Sequence, residues 1–239
     1  MFRYLYIDQV SSTNDYAKEL GLQGDNNIAV IAKEQTKGKG RLGRSFSSRQ
    51  NNGLYLSLLF QPEDPLLVPV IAALSVYQVI AKYSRDPVSI KWPNDILVKM
   101  SPADKYKKIC GILCESFVRE KRFHVICGIG INIANDFSEE LKDIATCLQD
   151  HCDFDGTAGE LGQEICRIFE TLMQKEKPQL IAEYKSHLRN LNRKVRVLKG
   201  QDEIIGTCTD LNEKGELLIQ TAQGEQITVH SGEVSIRDL

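Results

Sequence analysis

Short runs rich in branched and aromatic residues dominate the first part of the chain. Residues 2–7 (FRYLYI), Ile28–Gln35 and Gly53–Phe60 have this pattern, and each is predicted to form a β-strand. The polar-to-apolar stretch SSTNDYAKELG predicts a short helix that begins at Ser and Thr and ends at Gly21. Residues 65–83 are apolar almost all round, which predicts a buried helix with Pro69 in its first turn.

The middle of the chain predicts two strand pairs and two helices. VSIKW and DILVK flank a Pro-Asn pair, so two short strands with a sharp turn are expected there. After a polar connection at residues 100–106, residues 107–133 predict a hairpin around the charged turn REKR. Residues 159–175 and 178–191 have the apolar period of helices.

The pattern changes near Asn192. About five short strands follow, with turns at residues 212–215 and 223–224, and they predict a small barrel-like β unit. The sequence therefore predicts an α+β fold with a large domain at 1–190 and a second domain at 191–239.

Composition narrows the functional classes. The chain has 239 residues, of which 42% are hydrophobic and 26% charged, as is usual for a globular protein. A net charge of −2 argues against bulk attraction to nucleic acid, although a local basic patch can still bind phosphate. No secretory signal and no membrane-spanning run are expected.

The seven cysteines indicate a reducing compartment. Their number is odd, they form no CxxC pair and several lie in apolar runs, so buried thiols and a cytoplasmic location are expected. A metal site from Cys147, His151 and Cys152 is conceivable but lacks a second ligand pair of matching spacing.

The stretch TKGKGRLGRSFS is the strongest candidate for chemistry. Gly38, Gly40 and Gly43 allow positive φ and close approach of backbone N–H groups to a ligand. The loop also contains cations at Lys39, Arg41 and Arg44, which suit a phosphate or carboxylate. Neither common glycine-rich phosphate motif fits its spacing, so a mobile basic surface loop is an equal alternative.

Each of three further motifs has both a functional and a structural interpretation. Asn94 and Asp95 in KWPNDI suit Mg²⁺ or a nucleotide, or else a structural turn. Lys108 can place its ammonium over a pocket, or it can be a solvated lysine. The glycines of GIGIN, with Asn132, indicate close approach of a ligand or tight sheet packing.

In combination these motifs are far more specific. SSTN, EQTKGKGRLGRSF, GLYLS, KWPNDI, KICGILCE and GIGIN occur in this order. Their order and spacing resemble those of biotin protein ligases (biotin–acetyl-CoA-carboxylase ligases) of the monofunctional type without a DNA-binding domain. The resemblance runs from about Tyr4 to the C-terminus. It implies a mixed, mostly antiparallel sheet like that of class II aminoacyl-tRNA synthetases, plus a C-terminal SH3-like β-barrel.

The resemblance also implies the reaction. Biotin and ATP give biotinyl-5′-AMP and pyrophosphate, and a lysine of a biotin carboxyl carrier protein then takes the biotin. ATP and Mg²⁺ would be co-substrate and activator, with no bound prosthetic group. The expected protein is cytoplasmic, a monomer or homodimer, without DNA or membrane partners. A lipoate–protein ligase of the same fold and a non-catalytic biotin or adenylate sensor are the alternatives.

Site residues follow from the matching motif positions. Lys108 and Arg41 would be catalytic, and Asp95 would bind Mg²⁺. The implied biotin-binding residues are Ser12, Thr13, Asn14, Gln35, Gly38, Lys39, Tyr55, Gly111, Gly128 and Gly130. The implied ATP or adenylate residues are Lys39, Gly40, Arg41, Arg44, Phe46, Trp92, Asn94, Asp95, Lys108 and Asn132.

Two positions depart from the common loop pattern. Lys39 stands where many members have arginine, so its backbone is expected to matter more than its side chain. Phe46 replaces a tryptophan and lacks its N–H donor. Lys105 and Lys107 precede Lys108, which is selected by its distance to Gly111.

Overall fold

A computed structural model describes residues 1–100, 105–134, 137–199, 202–230 and 234–238. Its large sheet has seven strands: β1 (Arg3–Val10), β2 (Ile28–Gln35), β3 (Gly53–Phe60), β4 (Val88–Lys91), β5 (Asp95–Met100), β6 (Lys105–Arg119) and β7 (Arg122–Asn132). Their order is β1-β2-β3-β7-β6-β5-β4. The β1–β2 pair is parallel and the other described pairs are antiparallel, so the sheet is mixed and mostly antiparallel.

Helices cover both faces of this sheet. They are α1 (Thr13–Gln23), α2 (Val68–Tyr83), α3 (Glu139–Lys142), α4 (Leu148–His151), α5 (Ala158–Leu172) and α6 (Lys177–Ser186), with short 3₁₀ turns at Arg41–Gly43 and Pro65–Leu67. Helix α1 packs through Ala17 on Ile28, Val30 and Leu59, which form a small apolar cluster. Helices α2, α5 and α6 lie over the main core on the other face. The side that carries α1 is therefore where a cleft can open.

Helix α1 begins as predicted but ends later. Ser12 is its N-cap and accepts a hydrogen bond from Asp15 N at 3.4 Å. The prediction that Gly21 ends the helix is wrong, because the left-handed C-cap is Gly24 at φ 110°. Gly21 is instead a packing glycine, since a Cβ there would lie 2.6 Å from Cζ of Phe117.

The segment Pro65–Tyr83 forms the buried apolar helix predicted from the sequence, with a 3₁₀ turn at Pro65–Leu67 before α2. Its 19 residues meet the length and composition of a membrane span. In the structure 61% of its most apolar window is buried inside the protein. It is the core helix that covers the sheet, with Pro69 in its first turn as predicted.

A second sheet follows the last helix. Its strands are β8 (Lys194–Lys199), β9 (Asp202–Leu211), β10 (Leu217–Thr221), β11 (Gln226–Val229) and β12 (Val234–Asp238), in the order β11-β10-β9-β8-β12. The described pairs are antiparallel. The α+β class with a small C-terminal β unit is therefore confirmed, while residues 101–104 of the predicted polar connection lie outside the described residues.

Trp92 joins the two sheets. Its side chain is 2% exposed, and its indole N–H donates to the carbonyl of Gly215 at 2.9 Å. Its backbone N–H donates to Asn190 Oδ1 at 2.8 Å. Apolar residues of the second sheet, among them Val195 and Cys208, belong to the same core cluster as Trp92. The second sheet is therefore packed on the main core through this tryptophan.

We expect Trp92→Phe to lower the free energy of unfolding by about 1–3 kcal/mol, because it leaves the buried Gly215 carbonyl without its donor. Chemical denaturation of the whole chain measures this change. The control is Tyr6→Phe, which removes the hydroxyl of a side chain that is 57% exposed. Equal midpoints for the two variants would contradict the role of the indole N–H.

Candidate active site

A cleft opens between the start of α1, the glycine-rich loop and strands β3, β6 and β7. One end is neutral and polar, the other is cationic, and apolar side chains lie between them. The lining residues are Ser12, Thr13, Asn14, Gln35, Lys39, Gly40, Arg41, Phe46, Tyr55, Leu56, Asn94, Lys108, Gly111, Ile112, Leu113, Gly128, Ile129 and Gly130. Most predicted site residues are therefore brought together.

Hydroxyls and amides form the neutral end. Gln35 Oε1 accepts from the backbone N–H of Thr13 at 2.8 Å and lies 3.0 Å from Thr13 Oγ1. The fully buried Ser57 hydroxyl contacts Thr13 Oγ1 at 2.7 Å and Asn14 Oδ1 at 2.6 Å. Asn14 Nδ2 donates to Glu115 Oε2 at 2.6 Å. Such a surface suits a neutral ring with polar edges.

The floor of the cleft is made of glycines on paired strands. Gly111 of β6 is the register partner of Gly130 of β7, and Leu113 pairs with Gly128. A Cβ at Gly111 would lie 2.7 Å from Lys108 Nζ, and one at Gly128 would overlap Asn14 Oδ1. Any larger residue would therefore displace a cleft side chain, so close approach explains these glycines.

Two aromatic residues form the wall above this floor. A Cβ at Gly130 would lie 2.7 Å from Cε1 of Phe46, so the phenyl ring rests on that glycine. Phe46 meets Tyr55 edge to face at a centroid distance of 6.5 Å. Burial raises the pKa of Tyr55 to about 12, and its hydroxyl donates to the carbonyl of Arg49 at 2.9 Å. Phe46 thus lies on the glycine floor that the sequence assigned to biotin.

The cationic end combines side chains from three elements. Lys108 Nζ lies 2.7 Å from Asp95 Oδ1. Arg41 Nη1 donates to Asn94 Oδ1 at 3.0 Å, and Asn94 Nδ2 donates to the carbonyl of Ile112 at 2.9 Å. Burial lowers the pKa of Arg41, and the nearby Arg44 adds to this effect. Lys108 and Arg41 can therefore neutralise an anion that enters between them.

Of Lys105, Lys107 and Lys108, the lysine that reaches the cleft is Lys108. Lys105 pairs with Asp143 at 3.0 Å, and Lys107 donates to the carbonyl of Lys142, so both point to another surface. The Lys108 backbone is held on both sides, because its N–H donates to Ile144 O at 2.8 Å and its carbonyl accepts from Thr146 N at 2.9 Å.

The conceivable metal site at Cys147, His151 and Cys152 has another explanation. Both ring nitrogens of His151 are engaged, one 2.7 Å from Asp86 Oδ2 and the other 2.7 Å from Thr146 Oγ1. Within the described ranges no group of three or more metal-ligating side chains is found. His151 therefore anchors the segment that holds Lys108.

The glycine-rich loop differs from its prediction in its backbone. Gly43 has positive φ, but Gly38 and Gly40 do not, and Leu42 at φ 55° takes the second left-handed position. Gly38 is needed for close packing, since a Cβ there would lie 2.5 Å from Ser48 Oγ. The Lys39 side chain pairs with Asp15, and this hydrogen bond raises its pKa.

Some predicted residues lie beside the cleft rather than on its wall. Arg44 is exposed at an outer basin next to Lys39 and Arg41. Trp92 is buried under the second sheet, and Asn132 is buried with its amide donating to Thr146 O at 3.1 Å. The structure thus places the side chains of Trp92 and Asn132 in packing roles, a correction to their predicted place at the nucleotide.

Sequence reasoning missed Ser57 and Glu115. Ser57 is the one serine in the apolar strand GLYLSLLF, and Glu115 ends the motif KICGILCE. A polar side chain in a fully buried strand requires a partner, so Ser57 could have been found. Glu115 gave no comparable signal, because strand residues near a hairpin end are often charged.

Comparison with known proteins agrees with this geometry. Residues 6–132 match the model of the biotin/lipoate A/B protein ligase family, and residues 191–237 match the biotin protein ligase C-terminal domain. The bifunctional ligase/repressor BirA of Bacillus subtilis is 34% identical over 238 residues, which cover 92% of this chain and 70% of that protein. The biotin–[acetyl-CoA-carboxylase] ligase of Mycobacterium tuberculosis is 27% identical, over 95% and 86% of the two chains.

Among solved structures, the biotin protein ligase from Aquifex aeolicus in complex with biotin and ATP has a TM-score of 0.81. It is 32% identical, and both chains are covered completely. The sequence match, the two-sheet fold and the cleft lead to one conclusion: the chain belongs to the biotin/lipoate A/B protein ligase family, as a biotin protein ligase.

Proposed function

We propose that this cleft joins biotin to ATP as biotinyl-5′-AMP and then transfers the biotin to a lysine of a biotin carboxyl carrier protein. The observation that carries the proposal is the layout of the cleft. A neutral hydrogen-bonding end and a cationic end lie at opposite ends of one glycine floor. Biotin has the same order of groups, with a neutral ureido ring, an aliphatic tail and a carboxylate.

The first step joins two anions. An oxygen of the biotin carboxylate bonds to the α-phosphorus of ATP, and the bond to pyrophosphate breaks. Lys108 and Arg41 lie where the carboxylate would end, so they offset the repulsion and stabilise the charge that develops on phosphorus. Asp95 and Asn94 hold these cations in place until the phosphates replace them.

The second step needs no further cation. The neutral amine of the carrier lysine attacks the acyl carbon to form the amide, AMP leaves with the electrons of the acyl–oxygen bond, and the amine proton passes to water. The loop that includes Gly40 and Phe46 covers the anhydride, which protects it from water.

Residue roles follow the same order. Ser12, Thr13, Asn14 and Gln35 bind the ureido ring, and Tyr55, Gly111, Gly128 and Gly130 line the tail, with Gly38 and Lys39 shaping the loop beside them. Gly40, Arg44 and Phe46 complete the adenylate side. The support for this assignment is that the side chains of the first set lie on the neutral half of the cleft.

Mg²⁺ fits the cationic end only together with the nucleotide. Asp95 supplies one carboxylate near the phosphate position, and Mg²⁺ in nucleotide sites commonly takes one or two carboxylates plus phosphates and water. Asp95 would hold the ion beside Asn94, where it would offset phosphate charge. Asp95 must exchange Lys108 for the ion, since the two now form a pair.

The proposal also includes the domain organisation, location and assembly of the protein. We propose a catalytic domain at 1–190, a C-terminal domain at 191–239, a cytoplasmic location, and a monomer or homodimer without DNA or membrane partners. The seven cysteines form no disulfide and six of them are buried, which supports a reducing compartment.

We expect biotin to support exchange of labelled pyrophosphate into ATP, and lipoate to support little. The dithiolane ring of lipoate has no N–H or carbonyl group for the polar side chains of Ser12, Thr13, Asn14 and Gln35 that line the cleft. The assay uses the full chain with each acid at equal concentration. Exchange with lipoate alone would overturn the proposal, and adenylate formation without transfer to a carrier domain would favour a sensor.

Replacing Lys108 by alanine should lower biotin-dependent exchange by roughly 10²–10³-fold, since one cation at the reacting phosphate is lost. The matched control is Lys107→Ala, whose ammonium contacts Lys142 O outside the cleft. Circular dichroism verifies the fold of both variants. Normal exchange by the Lys108 variant would refute its catalytic role.

Residues 37–48 should exchange amide hydrogens faster in the free protein than with biotinyl-adenylate. Several backbone hydrogen bonds of the loop join its own residues rather than the sheet, among them Gly40 N to Arg44 O at 2.7 Å and Phe46 N to Gly38 O at 2.9 Å. Bound phosphate adds partners for its cations, so protection should rise. Hydrogen-exchange mass spectrometry measures the protection of these amides, with strand β3 as the internal reference. Equal protection of the loop in the free and the bound protein would count against closure of the loop.

A further inference from the structure

Two cysteines face each other across the central hairpin. Cys114 of β6 is the register partner of Cys127 of β7, both are free thiols, and their Sγ atoms lie 3.6 Å apart. The Cα atoms of directly opposed residues in an antiparallel pair lie about 4.5–5.5 Å apart, and disulfides span Cα distances of about 4.4–6.8 Å. The backbone is therefore already in place for a disulfide, and only the two side chains need to rotate.

The two thiols differ in their access to solvent, because they occupy different places in the sheet. Cys127 lies on a strand that is paired on both sides, with Leu58 of β3 and with Cys114, and it is fully buried. Strand β5 pairs with β6 from Lys105 to Gly111, so Cys114 lies beyond the end of that pairing and is only half-buried. A small oxidant can therefore reach Cys114 first.

The surroundings of Cys127 give the two thiols different roles. Its hydrogen bond with Cys114, together with burial, raises the pKa of the Cys127 thiol well above its usual value. Cys127 therefore keeps its proton and is not the group that attacks an oxidant, because the thiolate is the nucleophile. Cys114 is the attacking thiol, and Cys127 lies where it can react with the oxidised product.

Cys110, on the same strand as Cys114, differs from it in both respects. It is fully buried and opposes Ile131 rather than another cysteine. Burial also raises the pKa of the Cys110 thiol. It thus lacks the access to solvent and the direct partner that Cys114 has.

We propose that Cys114 and Cys127 form a modification site, at which hydrogen peroxide or a similar small hydroperoxide converts the two thiols to a cross-strand disulfide and a dithiol reductant restores them. The Cys114 sulfur attacks one peroxide oxygen and the O–O bond breaks. Cys114 becomes a sulfenic acid, and the leaving hydroxide takes up the Cys114 proton as water. The Cys127 sulfur then attacks the sulfenic sulfur, the S–S bond forms, and the hydroxide that leaves takes up the Cys127 proton. The two thiols together lose two electrons, which reduce the peroxide to two molecules of water.

The disulfide would lie behind the floor of the cleft. Leu113 and Gly128, the chain neighbours of the two cysteines, are register partners and line the cleft. Successive side chains of a strand point to opposite faces, so the two thiols face the main core, which both of them contact. The inference therefore does not depend on the ligand of the cleft. In a reducing compartment a disulfide of this kind is transient, as is usual for redox-sensing pairs.

The experiment treats the folded full chain with hydrogen peroxide at neutral pH, blocks the remaining thiols with iodoacetamide in denaturant, and maps the tryptic peptides by mass. Cleavage after lysine and arginine leaves Cys110 and Cys114 on residues 109–119 and Cys127 on residues 123–142. We expect these two peptides to be joined after oxidation, with the loss of two hydrogen atoms, and to separate after treatment with dithiothreitol. Fragmentation of the joined peptides in the wild-type chain identifies the bridged cysteine.

Two alanine variants provide the matched comparison, since both change a cysteine of the same peptide. Cys114→Ala should abolish the joined peptides, whereas Cys110→Ala should retain them. Joined peptides in the Cys114 variant, or a bridge to Cys110 in the wild-type fragments, would overturn the inference. It would also be overturned if peroxide left both wild-type peptides separate, with Cys114 either unchanged or oxidised to a sulfinic acid.

Discussion

The whole cleft depends on the absence of side chains at three positions of two paired strands. Gly111 and Gly130 face each other across β6 and β7, and Gly128 lies two residues from Gly130 along β7, on the same face. Each supports a functional side chain directly: Lys108 on Gly111, Phe46 on Gly130 and Asn14 on Gly128. A ligand tail can lie between these groups only because the sheet surface is bare there. The cationic and neutral ends are thus held at a distance set by the strand spacing.

Without ligand, the charged groups of the cleft satisfy one another. Lys108 pairs with Asp95, Arg41 donates to Asn94, and Lys39 pairs with Asp15. Burying cations beside each other is unfavourable, as the lowered pKa of Arg41 indicates, and these oxygens reduce that cost. In the proposed reaction, the phosphates of ATP would replace these carboxylate and amide partners. Binding would then exchange one set of charge contacts for another rather than fill a bare basic pocket.

Much of the fold could be predicted from local pattern. Strands β2 and β3 have their predicted bounds, and the helix at residues 65–83 and the hairpin around REKR were found from apolar period and turn residues. The end of α1 could not be predicted in this way, because Gly21 resembles a helix stop. Only its contact with Phe117, almost a hundred positions later, shows that Gly21 is a packing residue. Trp92 was misplaced for the same reason, since its partner Gly215 lies in the turn between β9 and β10, more than a hundred positions later.

The sequence by itself determined the chemistry available: a basic glycine-rich loop, an Asn-Asp turn, a lysine before an apolar strand and the glycines of GIGIN, in an order specific to one family. Only the tertiary structure decided which lysine reaches the cleft, that Phe46 lies on Gly130, and that Ser57 and Glu115 belong to the neutral end. The physical reason is that residue type and order define which groups a chain carries. Strand register and packing between distant segments define which of them meet, and those contacts are not encoded by neighbouring residues.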